Sequence, residues 1–224
     1  MNLVAAGAGN LELTMDGTNH WKDGFKLGDR TGLFKMPVGD LEFVLSKEGC
    51  KTSKRTVEVL LGKTMTLVCY ADPIRDDTGK IVDWELKMAS LKQRSEPNGL
   101  FFTLVSFFEE DEIELTVVDS LSKKEQTVVL PKRKATPVEV KAGLVNVKIS
   151  HQGKLLKALS TKRRGNYVVM LYMDGNGERA TVTYYDRKFV LANCAHENAA
   201  GIFARGWFGR GGGLVAGAGA WRGG

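Results

Sequence analysis

The sequence predicts an all-β protein built as two small antiparallel β-sandwiches in tandem. Three observations lead to this prediction: short runs of alternating apolar and polar residues, turn-forming residues between the runs, and a second half that repeats the first. Helical periodicity is nearly absent. The 224 residues, 43% hydrophobic and 26% charged, suffice for one large domain or two small ones at roughly 100–150 residues each.

Alternating runs mark the strands of the first half. Because neighbouring side chains of a strand point to opposite faces, alternation gives each strand one apolar face for a core. Turn residues such as Asp16-Gly17 and Leu61-Gly62 separate the runs. The runs are 11–15, 41–45, 56–60, 64–70 and 81–86. Strands this short and this evenly spaced are typical of antiparallel sandwiches.

The second half repeats the first at an offset of about one hundred residues. The matched segments are 11–14 with 113–116, 39–45 with 143–149, 62–70 with 165–173, and 77–79 with 174–177. All four matches occur in the same order, at offsets between 97 and 104. Self-similarity of this kind predicts the internal duplication of one immunoglobulin-like sandwich.

These patterns divide the chain into four parts. The first sandwich domain covers residues 1–91, and a polar linker with one proline and one glycine covers 92–99. The second sandwich domain covers 100–190, and a glycine-rich, low-complexity tail covers 191–224. A domain of about 90 residues can bury a modest core of its own.

The sequence leaves the cellular compartment open. Cys50, Cys69 and Cys194 make an odd count without CxxC spacing, so zinc and thioredoxin-type motifs are absent. A bridge between Cys50 and Cys69 would require an oxidising compartment and neighbouring Cα atoms. The first ten residues lack the basic and apolar regions of a secretory signal, so either the protein is cytoplasmic or a leader precedes this sequence. No stretch approaches the ~18 apolar residues of a membrane span.

The sequence predicts no catalytic, cofactor-binding or metal-binding residues. The three histidines are scattered, and no phosphate-loop, dinucleotide-binding or hydrolase motif occurs. His151 lies beside Gly153 in a predicted hairpin turn, where polar surface residues are normal. The carboxylate run 109–112 offers the oxygen atoms that calcium prefers, but such a run more often marks a solvated turn. We therefore expect a protein that is not an enzyme.

The net charge of +6 bears on possible partners. Residues 100–190 carry 15 basic against 11 acidic side chains. This excess either favours an acidic partner, such as a uronic-acid polymer, or simply keeps the surface solvated. We do not expect nucleic acid as a partner, because the basic clusters 132–134 and 162–164 are small and lie at turns between predicted strands.

Aromatic and basic side chains are the candidates for contact with a polymer or a protein partner. Trp21 could present a ring to a sugar, with neighbouring Asp and Asn groups as hydroxyl partners. Tyr184 and Tyr185 are consecutive, so one of them must face outward if they lie on a strand. Arg163 and Arg164 add positive charge in the same half. These five residues form the predicted contact set.

In the order and spacing of its segments, the chain resembles the AlgF family of periplasmic accessory proteins in alginate O-acetylation. The residues that carry the resemblance are 9–14 and 34–39 in the first half, and 145–150, 164–172 and 174–177 in the second. The likeness covers most of the chain before the tail. It is a likeness of sandwich pattern, which bears on fold more directly than on function.

The resemblance implies a non-catalytic periplasmic adaptor with two sandwich domains. Such a protein would bind the acetyltransferases that modify an exopolysaccharide, and the family offers no catalytic residues to carry over. The chain departs from the family in having no leader in this sequence, three cysteines and a glycine-rich tail. The alternative is a secreted carbohydrate-binding or adhesion module whose ligand is an anionic polysaccharide.

Overall fold

The alternating runs of the sequence form strands whose apolar residues face inward. In the computed structural model, Leu41, Phe43 and Leu45 are buried, while the residues between them are partly exposed. The structure describes residues 1–32, 35–92, 100–119, 123–139, 145–161 and 165–186, all of which lie in one unit, 1–188. None of these described residues is helical, which confirms the all-β prediction.

The described strands form four sheets. In chain order the strands are β1 (Ala8–Met15), β2 (Gly39–Glu48), β3 (Ser53–Val59), β4 (Met65–Arg75), β5 (Ile81–Lys92), β6 (Leu100–Ser106), β7 (Glu112–Asp119), β8 (Glu125–Pro131), β9 (Thr136–Glu139), β10 (Val145–His151), β11 (Lys154–Thr161), β12 (Gly165–Met173) and β13 (Arg179–Asp186). The first sheet has the order β1-β2-β3 and the second is the pair β4-β5. The third sheet has the order β13-β12-β6-β9, and the fourth has the order β11-β10-β7-β8.

The second and third sheets each pack against two apolar clusters, one on either face, because successive side chains of a strand point to opposite faces. In β12, Val169 and Leu171 pack with residues of the fourth sheet, whereas Val168 and Met170 pack with Val68 of β4. Both faces of this strand are buried, as its four consecutive buried residues show. The four sheets are therefore stacked as layers, with an apolar cluster between each layer and the next.

Three clusters hold these layers together. The first core joins the first and second sheets and contains Val4, Leu11, Leu13, Leu41, Phe43, Leu45, Val57, Val59, Cys69, Leu86 and Met88. The middle cluster joins the second and third sheets and contains Leu3, Val68, Val105, Val168 and Met170. The second core joins the third and fourth sheets and contains Phe102, Leu104, Phe108, Ile113, Leu115, Val117, Leu130, Val138, Val147, Ile149, Val169 and Leu171.

The two halves share an order of strand pairing. The first half pairs β1 with β2 and β2 with β3, and the second half pairs β7 with β10 and β10 with β11 in the same antiparallel sense. The hairpin β4-β5 has its counterpart in the hairpin β12-β13. This correspondence is what a duplication would produce. The duplication itself, and the division into two domains, remain predictions.

One ladder departs from the antiparallel pattern that the strand rhythm indicates. Strand β6 pairs with β12 in parallel, from Leu100 opposite Gly165 to Ser106 opposite Leu171. In the first half, Asn2 forms a parallel bridge with Cys69 of β4. The predicted linker 92–99 begins on the last residue of β5, while residues 93–99 and the predicted tail 191–224 lie outside the described residues.

Candidate functional site

Two of the five predicted contact residues take part in packing. Trp21 is partly buried against the first core, with its ring centroid 5.6 Å from that of Phe25. Tyr184 is partly buried against the middle cluster, and its hydroxyl donates a hydrogen bond to Thr66 Oγ1 at 3.0 Å. Because the two rings lie against different apolar clusters, they do not form one shared platform.

Of the other three predicted residues, one lies in a described strand. Tyr185 lies in β13, where its backbone is opposite Tyr167 of β12. Arg163 and Arg164 lie outside the described residues. The contact set as a whole therefore stays a prediction.

The acidic run 109–112 contacts basic side chains from other parts of the chain. Glu109 forms an ion pair with Arg75, and Glu110 forms one with Arg179 at 2.6 Å. The Lys132 ammonium also donates a hydrogen bond to the Glu109 carbonyl at 2.9 Å. Within the described part of the chain, no three His, Cys, Asp or Glu side chains are arranged to hold a metal ion.

Arg133, from the basic cluster 132–134, joins the second half of the chain to the first. Its guanidinium pairs with Asp72 of β4 and lies 4.7 Å from the centroid of the Tyr70 ring. Tyr70 in turn packs on Phe107, at 5.2 Å between ring centroids. Arg133 therefore connects parts of the chain that are distant in sequence.

Cys50 and Cys69 are both free thiols. Cys69 lies in the first core, and burial raises its pKa from the ordinary 9.0 to about 11. Cys50 is partly buried against the same core, and burial raises its pKa as well. Neither thiol is therefore prepared as a nucleophile, because only the thiolate attacks.

In the fourth sheet, residues 112–115 of β7 have no partner strand on the β10 side among the described residues; we call this site the notch. Strand β7 pairs with β8 from Glu112 onward, but its ladder with β10 begins only at Thr116, opposite Ser150. Strand β10 ends at His151, and the chain turns back through Gln152 and Gly153, whose φ values are 49° and 75°. Among the described strands, none pairs with residues 112–115 of β7 on the β10 side.

His151 closes the inner end of the notch. It follows Val147 and Ile149 on the inward face of β10 and is only 6% exposed. Its Nδ1 atom lies 2.8 Å from the carbonyl oxygen of Glu114. Since a carbonyl can only accept, Nδ1 is the donor, and Nε2 of the neutral ring is an acceptor. Nε2 is buried without a hydrogen-bond partner among the described residues.

Carboxylates line the notch. Glu110, Glu112 and Glu114 surround an open cavity of about 560 Å³, together with His151 and the turn that follows it. The volume is in the range of ordinary ligand sites, about 300–1,000 Å³. Glu112 and Glu114 are exposed, and no described basic side chain lies within ion-pair distance of either. The notch is therefore negatively charged.

Neither the burial of His151 nor the notch is predicted from the sequence. The turn residues around His151 indicate an exposed position, whereas the residue is buried. The signal that could have shown this burial is the alternation of Val147, Ile149 and His151. The notch has no such local signal, because it depends on where a neighbouring strand ends.

Comparisons with protein-family models, with curated proteins and with solved structures find no match to this chain. The described residues also include no helix with the length and apolar character needed to cross a bilayer. Function is therefore inferred from the geometry of the chain and from the resemblance of its sequence pattern.

Proposed function

We propose that this protein is a non-catalytic adaptor that binds protein partners through an exposed strand edge and acts in the periplasmic O-acetylation of an alginate-like exopolysaccharide. The notch carries the binding part of the proposal, because a bare strand edge presents backbone groups that pair readily with another chain. The resemblance to the AlgF family supports the pathway, the compartment and the acetyltransferase partners.

The position of the notch favours a specific binding surface. The inward residues of β7, Ile113, Leu115 and Val117, are buried in the second core. Their outward neighbours Glu112 and Glu114 are therefore held on a strand whose backbone cannot easily move. Binding groups on packed strands keep their geometry better than groups on loops.

The charge of the notch favours a protein partner over an acidic polysaccharide. Glu112 and Glu114 would repel the carboxylates of a uronic-acid polymer, since like charges placed together across an interface are unfavourable. The alternative, a carbohydrate-binding or adhesion module, would need a different and positively charged surface.

The proposal is tested by direct binding of the purified full chain. The two ligands are a purified periplasmic SGNH-type polysaccharide acetyltransferase and purified O-acetylated alginate, each titrated separately by calorimetry. We expect binding to the acetyltransferase, no saturable binding to alginate, and no release of acetate by the chain alone. Saturable binding to alginate without a partner would favour the alternative, and acetate release would show an enzyme. Failure to bind the acetyltransferase would remove the adaptor proposal.

A further inference from the structure

We infer that the notch binds an extended, lysine- or arginine-containing peptide segment, which adds to the fourth sheet as a strand beside the start of β7. The inference deepens the proposed adaptor function and rests on it only for the identity of the partner. The chemistry of the ligand follows from three separate features of the notch: backbone direction, side-chain charge and the unpartnered nitrogen of His151.

Backbone direction supplies the first argument. Along a strand in an antiparallel sheet, successive residues direct their N–H and C=O groups to alternate edges. The contact of His151 with the Glu114 carbonyl shows that Glu114 faces the β10 side. Glu112, two residues earlier, therefore directs its N–H and C=O into the notch. Residues 112–115, which have no partner on this side among the described strands, span about 13 Å. Because His151 already contacts the Glu114 carbonyl, a guest strand would pair chiefly with Glu112.

Side-chain charge supplies the second argument. Glu112 and Glu114 stand two residues apart on the exposed face of β7. A guest strand presents alternate side chains to the same face, and oppositely charged residues across a strand pair stabilise it. Basic residues at alternate positions of the guest would therefore lie opposite these two carboxylates. Glu110 already pairs with Arg179, so it adds less to the attraction.

His151 supplies the third argument. The residue is more than nine-tenths buried and lines the notch, and its Nε2 atom has no hydrogen-bond partner in the described part of the chain. In a neutral imidazole that donates through Nδ1, Nε2 is an acceptor. A buried polar atom without a partner is costly. A guest that brings an N–H donor to this end of the notch would satisfy it, and both lysine ammonium and peptide amide groups are such donors.

The charge argument is tested with two capped pentapeptides, one with lysine and one with glutamate at positions 1, 3 and 5, and valine between them. The full chain is titrated with each peptide by fluorescence anisotropy. We expect only the lysine peptide to bind. The double variant E112K/E114K should weaken that binding by roughly tenfold or more, since two favourable charge contacts become repulsive.

A matched variant controls for net charge. E48K/E58K makes the same charge change at exposed positions of the first sheet, away from the notch. Its affinity for the lysine peptide should stay within about twofold of the unchanged chain, because exposed charges more than a Debye length apart are screened. An equal loss in both double variants would show only general charge attraction and would overturn the notch as the site.

The backbone argument is tested by N-methylation of the peptide, which leaves the protein unchanged. One lysine peptide is N-methylated at its lysines and another at its valines. Only one set of amides can face β7, so one peptide should lose binding while the other keeps most of it. On the protein side, E112P should bind more weakly than E112A by about three- to tenfold, since proline removes an N–H at the first position of the strand.

The outcomes distinguish a failure of the peptide-binding inference from a failure of the proposed adaptor function. If the lysine peptide does not bind, or if both N-methylated peptides bind equally well, the strand-addition inference is wrong. If the peptide binds as expected but the acetyltransferase does not, the notch stands and the proposed adaptor function fails. If the acetyltransferase binds equally well to the E112K/E114K variant, the chain still binds this partner, but the proposed binding through the notch is wrong.

Discussion

Strands β1 and β7 occupy corresponding places in the two halves, yet among the described strands only β1 has a partner on this side at its first residue. Strand β2 is ten residues long and pairs with β1 from Met15 back to Glu12 and again at Ala8, opposite Glu48, with a register irregularity between Ala8 and Glu12. Strand β10 is seven residues long, and its ladder with β7 stops at Ser150. The notch therefore arises from the length of the neighbouring strand and not from β7 itself.

The two halves also close their cores differently. On its other edge, β1 pairs with an irregular segment, through mutual backbone hydrogen bonds of 2.9 and 2.8 Å between Leu11 and Phe25. In the second half, a regular strand, β8, takes that place beside β7. Trp21, Phe25 and Met36 are only partly buried against the first core. The same layered arrangement is thus closed by irregular segments in one half and by strands in the other.

The largest expected effect compares one buried phenylalanine from each core. Phe43 and Phe102 are each 1% exposed. We expect F43A and F102A to lower the free energy of unfolding by about 3–5 kcal/mol. F102A should cost more, because Phe102 also stacks on Tyr167 at 5.6 Å and its strands leave less room for relaxation around the cavity. Urea unfolding followed by circular dichroism measures both losses.

A surface valine serves as control for these cavities. Val129 is 51% exposed on β8, so V129A should change the free energy of unfolding by less than about 0.5 kcal/mol. A greater loss in F43A than in F102A would contradict the view that strands close the second core more rigidly than irregular segments close the first.

The next effect tests how strongly the two halves are coupled. Met170 is fully buried in the middle cluster, where it meets Val68 and Leu3. We expect M170A to lower the free energy of unfolding by about 2–4 kcal/mol and to split the thermal transition into two, measured by calorimetry. The control is M173A, at a methionine that is 36% exposed on the same strand. One unchanged, cooperative transition in M170A would show that the halves do not depend on this cluster.

A smaller loss of stability is expected at alkaline pH, where the buried Cys69 thiol of the first core ionises. Because the pKa of Cys69 is raised from 9.0 to about 11 in the folded chain, its stabilising contribution is complete below pH 9. It is lost as pH rises through 11, since the unfolded thiol ionises first. The loss is about 2–3 kcal/mol at 1.36 kcal/mol per pKa unit.

The variant C69A isolates this titration from those of tyrosine and lysine. Chemical unfolding between pH 8 and 11 should show a steeper loss of stability for the unchanged chain than for C69A. Alkylation of the folded chain at pH 8, mapped by mass spectrometry, should modify Cys50 before Cys69, which is only 4% exposed. Parallel pH curves for the two proteins would be inconsistent with a buried thiol at this position.

The smallest expected effect compares two ion pairs. Arg133 and Asp72 are 27% and 19% exposed and join the two halves, whereas Lys154 and Glu178 are 68% and 66% exposed. A double-mutant cycle with R133M and D72N should give a coupling energy of about 1 kcal/mol. The exposed pair, tested with K154M and E178Q, should give less than about 0.5 kcal/mol. Equal coupling energies would mean that Arg133 does not help to join the halves.

The sequence predicts the positions and buried faces of the strands better than it predicts binding surfaces. Ile113, Leu115 and Val117 alternate with polar residues, and the buried face of β7 follows directly from that local pattern. The five predicted contact residues follow from residue type and, for Tyr184 and Tyr185, from consecutive positions on a strand. Two of them, Trp21 and Tyr184, take part in packing, because an aromatic side chain suits a half-buried position as well as a binding surface.

The sequence by itself determined the all-β class, the positions of most strands and which of their faces are apolar. These are properties of neighbouring residues, since the period of two depends only on the backbone of one strand. Only the tertiary structure decided that β6 pairs with β12 in parallel, that Arg133 reaches Asp72, and that the ladder between β10 and β7 ends at Thr116. Each of these depends on a contact between residues far apart in the chain, for which the local pattern carries no signal.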